Sequence, residues 1–171
     1  MENPPLILVV DDDRTTRLII GKALRAARFE VLEAGDGREA LSLLDGQQPD
    51  LVLVDVVMPG MDGYEVCRRM RARPNLYTVP VIIVTGSEDF EAIGKAYEAG
   101  ATDFFAKPIN SQLLRERVRY MLRASETARE LQTSKELLAK AQSVASLGSF
   151  YHEVGSSRIR VSREFRRLFG P

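Results

Sequence analysis

Asp11, Asp12 and Asp13 stand in succession after one apolar run, Leu6 to Val10, and Asp55 closes a second, Leu51-Val52-Leu53-Val54. Thr85 follows a third, Val81-Ile82-Ile83-Val84, and Lys107 follows a fourth stretch over residues 101–106. Carboxylates brought together without cations repel, and their protonated forms are favoured. A divalent cation removes the conflict. Hard oxygen donors in a small cluster suit magnesium, which keeps several waters and commonly shares phosphate oxygens. Lys107 adds an ammonium and Thr85 a hydroxyl donor. Such a set receives an anion beside a carboxylate. The carboxylate can itself attack phosphorus to give an acyl phosphate, with cation and lysine neutralising charge on the phosphoryl oxygens. Taken singly, each residue has a plainer reading: Asp55 as a cap or loop aspartate, Thr85 as a strand end, Lys107 as a surface lysine. Only a fold that brings them to one edge favours the chemistry.

The elements that must do this follow from periodicity. Apolar runs bounded by turns predict strands over 6–10, 51–55 and 79–84, buried on both faces of a parallel sheet. Residues 30–34 and 101–106 predict two less apolar, outer strands. Helical spacing predicts helices over 15–27, from 37 to about Gly46, over 63–73, over 90–99, and a long one from Ser111. Asp13 reads as a helix cap, with metal ligation the lesser option. Alternating strands and helices argue for right-handed crossovers and an α/β fold. The natural architecture is a five-stranded doubly wound parallel sheet, flavodoxin-like, in the order 2-1-3-4-5. Its carboxyl edge then carries Asp11, Asp12, Asp55, Thr85 and Lys107 together.

Lys and Arg number 24, and so do Asp and Glu. That balance gives no reason to expect nucleic acid or a membrane surface as partner. Cys67 is the one cysteine, which fits a reducing compartment and a buried structural thiol. No apolar run is long enough to span a bilayer, so a soluble, cytoplasmic protein is expected.

The motifs Val9-Val10-Asp11-Asp12, Val54-Asp55 with Met58-Pro59-Gly60-Met61-Asp62-Gly63, Val84-Thr85 and Lys107-Pro108 together resemble the receiver domain of bacterial two-component response regulators. The resemblance covers about residues 5–123. It implies a phosphoacceptor at Asp55 and magnesium held by Asp11, Asp12, Asp55 and the backbone carbonyl of Val57. Thr85 and Lys107 would contact the phosphoryl oxygens. The donor would be a cognate sensor histidine kinase or a phosphotransfer protein. The resemblance implies no turnover enzyme: the chain would accept and slowly lose a phosphoryl group, and any effector enzyme would lie outside it. Thr85 and Phe104 match the switching pair, although a strand phenylalanine is as readily core. Val57 and Ser87 match positions that tune the acyl phosphate's lifetime. An apolar Val57 cannot orient an attacking water, so slow self-dephosphorylation is expected.

The last helix continues past the receiver's usual end, with no Gly or Pro before Gly148. The row Leu114, Met121, Ala128, Lys135, Gln142 and the row Arg117, Ala124, Leu131, Leu138, Ala145 form a weak heptad seam. This reads as a homodimeric coiled coil rather than a solvated connector. Past Gly148, two short strands and an amphipathic helix carrying Phe165, Leu168 and Phe169 look like the opening of a PAS domain. The expected organisation is a receiver over 1–123, a signalling helix over 124–147 and a truncated PAS start over 148–171, within a longer regulator. Two alternatives differ in class. One is a phosphatase of the haloacid dehalogenase type, opposed by the apolar Val57 where a general acid would stand. The other is an unphosphorylated dimerisation scaffold.

Overall fold

The computed structural model describes residues 3–86, 90–145, 150–152 and 159–170. Its first unit runs from Met1 to Ser125 and its second from Glu126 to Pro171. In the first unit β1 (Leu6–Val10), β2 (Glu30–Ala34), β3 (Leu51–Asp55), β4 (Val81–Thr85) and β5 (Asp103–Ala106) alternate with α1 (Arg14–Ala26), α2 (Gly37–Gly46), α3 (Gly63–Arg71), α4 (Phe90–Glu98) and the start of α5 (Ser111–Val144), whose remainder belongs to the second unit. The strands are parallel in the order β2-β1-β3-β4-β5, the doubly wound flavodoxin-like arrangement.

Alternate residues of each central strand serve opposite faces. Leu8, Val10, Val52, Val54, Val81 and Ile83 pack with Ala40, Leu44, Val66, Cys67 and Met70 on one side. Ile7, Val9, Leu51, Leu53, Ile82 and Val84 pack with Ile20, Leu24, Leu114, Val118 and Met121 on the other. Because both faces are covered, β1, β3 and β4 read as continuous apolar runs rather than alternating ones. Cys67 is a free, buried thiol whose pKa burial pushes up.

Asp13, Asp36 and Asp62 cap α1, α2 and α3, each accepting from backbone N–H groups of the first turn. Such caps satisfy donors that the helix cannot. The structure shifts some expected bounds. α3 ends at Arg71, β4 starts at Val81 and β5 at Asp103. Arg71 accounts for part of this. Its guanidinium donates to the carbonyls of Gly100, Leu76 and Val79 and to Thr102 Oγ1, holding the approaches to both strands as loops. Arg71→Ala removes the side-chain donor to the Gly100 and Val79 carbonyls, while Leu76 O keeps the Val79 N–H, and about 2–3 kcal/mol of stability is expected to be lost. Urea denaturation checks this as a lowered midpoint at unchanged slope.

The long α5 corrects the expected seam. Leu114 and Met121, which head one of its two rows, are buried in the receiver core and cannot face a partner. In the second unit, β6 (Phe150–His152) and β7 (Ile159–Val161) form an antiparallel pair. There α6 (Arg163–Phe169) is capped by Ser162 and its Phe165 ring meets Phe150 edge-on.

Candidate functional site

Strand register assembles the site. Val10 lies beside Val54, so Asp11, the next residue, emerges next to Asp55. Asp55 lies beside Val84, putting Thr85 one step further along the neighbouring strand. Thr85 pairs with Ala106, and Lys107 follows. The Lys107 N–H donates to Thr85 O at 2.8 Å, and the Lys107–Pro108 peptide is cis. The fold thus brings Asp11, Asp12, Asp55, Thr85 and Lys107 to one carboxyl edge.

The Lys107 ammonium lies 3.0 Å from Asp55 Oδ2 and 3.2 Å from Asp11 Oδ2. Asp11, Asp55 and Thr85 are buried, whereas Asp12 is exposed. Burial pushes the Asp55 carboxyl above its ordinary value, although Lys107 pulls the other way. Burial also draws the Lys107 ammonium down, but hydrogen bonds and charges from Asp55 and Asp11 outweigh it and hold it above an ordinary lysine. Carboxylate oxygens of Asp11, Asp12 and Asp55 converge within 4.8 Å of one another. One ammonium cannot neutralise three carboxylates. The excess negative charge and all-oxygen donor set fit a hard divalent cation such as magnesium.

Two positioning residues carried no signal in the sequence pattern. Arg17, on the first turn of α1, donates from Nη1 to the carbonyls of Asp11 and Asp12 at 2.5 and 3.1 Å. Asp13 N–H donates to Asp11 Oδ1 at 2.8 Å, which fixes the second oxygen of that carboxylate. A single arginine six residues past an acidic pair looks like any solvated helix residue. Gly63 is the second. A Cβ there would fall 2.2 Å from the carbonyl oxygen of Asp55. A glycine after an aspartate reads as a turn, not as a close approach.

Val57 is 74% exposed. Phe104 is half-buried, edge-on to Tyr97 with ring centroids 6.5 Å apart. Ser87 lies outside the described residues. No helix among the described residues is long and apolar enough to cross a membrane.

Residues 7–119 match the family model for the response regulator receiver domain. The chain is 37% identical over 122 residues to the transcriptional regulatory protein AfsQ1 of Streptomyces coelicolor, covering 71% of this chain and 53% of that protein. It is 40% identical over 117 residues to a cyclic di-GMP phosphodiesterase of Thermotoga maritima, covering 68% of this chain and 31% of the other. A crystal structure of a putative response regulator from Chloroflexus aurantiacus superposes with a TM-score of 0.67 at 40% identity, over 70% of this chain and 98% of that one. The chain therefore spans only about a third to a half of those two curated relatives.

Proposed function

The chain belongs to the response regulator receiver domain family, and on that footing we propose that Asp55 is the residue that accepts the phosphoryl group. The domain receives the signal of a two-component system. The observation that carries the Asp55 reading is a buried carboxylate, 3.0 Å from a lysine ammonium, at the meeting point of three acidic groups.

An Asp55 carboxylate oxygen attacks the donor's phosphorus. The new P–O bond forms as the bond from phosphorus to the leaving group breaks, and that electron pair departs with the donor. The donor is a cognate sensor histidine kinase or phosphotransfer protein. Asp11, Asp12, Asp55 and the Val57 carbonyl are the groups that would hold magnesium, which when bound offsets negative charge on the phosphoryl oxygens. Lys107 exchanges its contact with Asp55 for one with a phosphoryl oxygen, and the Thr85 hydroxyl donates to another. Thr85 drawn inward frees space into which Phe104 turns, altering the surface formed by α4, β5 and α5. The phosphoryl group thereby biases a two-state equilibrium. An apolar, exposed Val57 orients no attacking water, so the acyl phosphate is long-lived. Ser87 belongs to the same lifetime-tuning pair.

The change leaves the receiver, residues 1–123, through the helix over 124–147, which pairs as a coiled coil in a homodimer. It passes into residues 148–171 as the start of a PAS domain, and on to an effector outside this chain. The two curated relatives carry different outputs on similar receivers, a transcriptional regulator and a phosphodiesterase. This reading makes the chain cytoplasmic.

Intact-protein mass spectrometry after incubation with magnesium and acetyl phosphate tests the proposal. One phosphoryl mass gain is expected, absent with EDTA and in Asp55→Ala. A gain retained in Asp55→Ala, or none in wild type, overturns it. Free phosphate released without any adduct would point instead to the phosphatase alternative.

A further inference from the structure

The distal half of α5 carries an exposed face whose pattern specifies its occupant. From Glu126 to Ala145 every residue but Gln142 is exposed, and Leu131, Leu137, Leu138 and Val144 are each more than half so. A helix so exposed along its length is marginal in water on its own.

Ala124, Leu131, Leu138 and Ala145 recur at every seventh residue, and Thr127, Ser134 and Ala141 lie three residues after the first three of them. All seven are exposed. Alternating steps of three and four are those of coiled-coil positions a and d. Counted backward, the same spacing reaches Tyr120 and Leu113, both exposed, and between them Arg117, which Asp103 holds. The alternative register, which would place Lys135 inside the seam, shares its row with Leu114 and Met121, and those belong to the receiver core. The structure therefore selects the register with Lys135 at position e and Glu130 at position g.

In a parallel, in-register pair, position g of one helix faces position e of the following heptad on the other. Glu130 then faces Lys135 of the second copy, and symmetry repeats the contact. The other facing pairs on the exposed part of the helix are Arg123 with Ala128 and Leu137 with Gln142, neither of which opposes like charges. We infer that the occupant of this face is a second copy of the chain, parallel and in register, joined through Leu131 and Leu138 and aligned by reciprocal Glu130–Lys135 ion pairs. The inference rests on the reading of α5 as a dimeric relay. Thr127, Ser134 and Ala141 are small and bury little area, so the association is weak enough for the receiver's state to move it.

Sedimentation equilibrium of the full chain, with and without magnesium and acetyl phosphate, tests the pairing. Lys135→Glu or Glu130→Lys alone weakens dimerisation about fivefold or more, and the double reversal restores it to within about twofold. On oxidation, Ser134→Cys cross-links as a dimer and the outward Thr133→Cys does not. A double reversal no better than either single change overturns the register, as does equal cross-linking from Thr133→Cys. A chain that gains its phosphoryl mass yet stays monomeric overturns this inference alone. Absence of the mass gain counts against the relay and leaves the charge-reversal and cross-linking results to decide the pairing.

Discussion

Gly63→Ala will destabilise the protein by about 3 kcal/mol or more and misplace Asp55. The added Cβ would sit 2.2 Å from the Asp55 carbonyl oxygen and 2.9 Å from its carbon. Both are backbone atoms of β3 and cannot rotate aside as a side chain would. α3 cannot simply retreat either, because Gly63 N–H donates to Val56 O at 3.1 Å and Asp62 caps the helix onto Glu65. Relief must come from moving the end of β3, which carries the site's central carboxylate. Gly46→Ala is the matched control. It sits at the end of α2 with open space around the new Cβ, and the exchange costs nothing or adds up to about 1 kcal/mol. Urea midpoints measure both. A Gly63→Ala midpoint equal to that of wild type would refute the close-approach argument.

Lys107→Ala gives the second large effect. It removes the ammonium that touches both Asp11 and Asp55 and leaves two buried carboxylates facing each other. Breaking a buried pair costs several kcal/mol, but solvent reaches Lys107, so about 2–3 kcal/mol is expected. The deficit depends on pH with a definite sign. Asp55 already titrates above its ordinary value through burial, and losing Lys107 raises it further. A carboxyl raised in the folded state takes up its proton there before it does in the unfolded chain. Its contribution to stability therefore grows as pH falls through the raised folded value, and is complete below the ordinary carboxylate value. The gap between Lys107→Ala and wild type narrows over that window. It also narrows at neutral pH when magnesium is added. In an Asp55→Asn background the same lysine change costs less, because one of the two stranded charges is gone. Thermal melts across pH, with and without magnesium, read all three. A gap that widens on acidification would refute the assignment.

What the sequence made legible was the part governed by local pattern. β1, β3 and β4 announced themselves as uninterrupted apolar runs because two separate cores claim their alternate residues. Asp13 was legible as the cap of α1, a carboxylate within reach of first-turn N–H groups. The edge set of Asp11, Asp12, Asp55, Thr85 and Lys107 followed once strand order was assumed. Through-space detail was not legible. The Arg17 contact joins a helix to carbonyls, which leave no trace in residue type. The Gly63 approach depends on how closely α3 lies over β3. The two heptad registers of α5 differ only in which row the receiver core consumes, and nothing in a one-dimensional repeat decides that.

The rims of the sheet have a consequence of their own. An exposed strand edge is a template for further pairing, and proteins blunt it with charge and brevity. Here β2 carries Glu30 and Glu33, the latter held by Arg25. β5 is four residues long and opens on Asp103, paired to Arg117. Two such molecules meeting rim to rim would have to desolvate carboxylates to add a strand. Edge-to-edge strand addition at the two rims of the receiver sheet is thereby disfavoured.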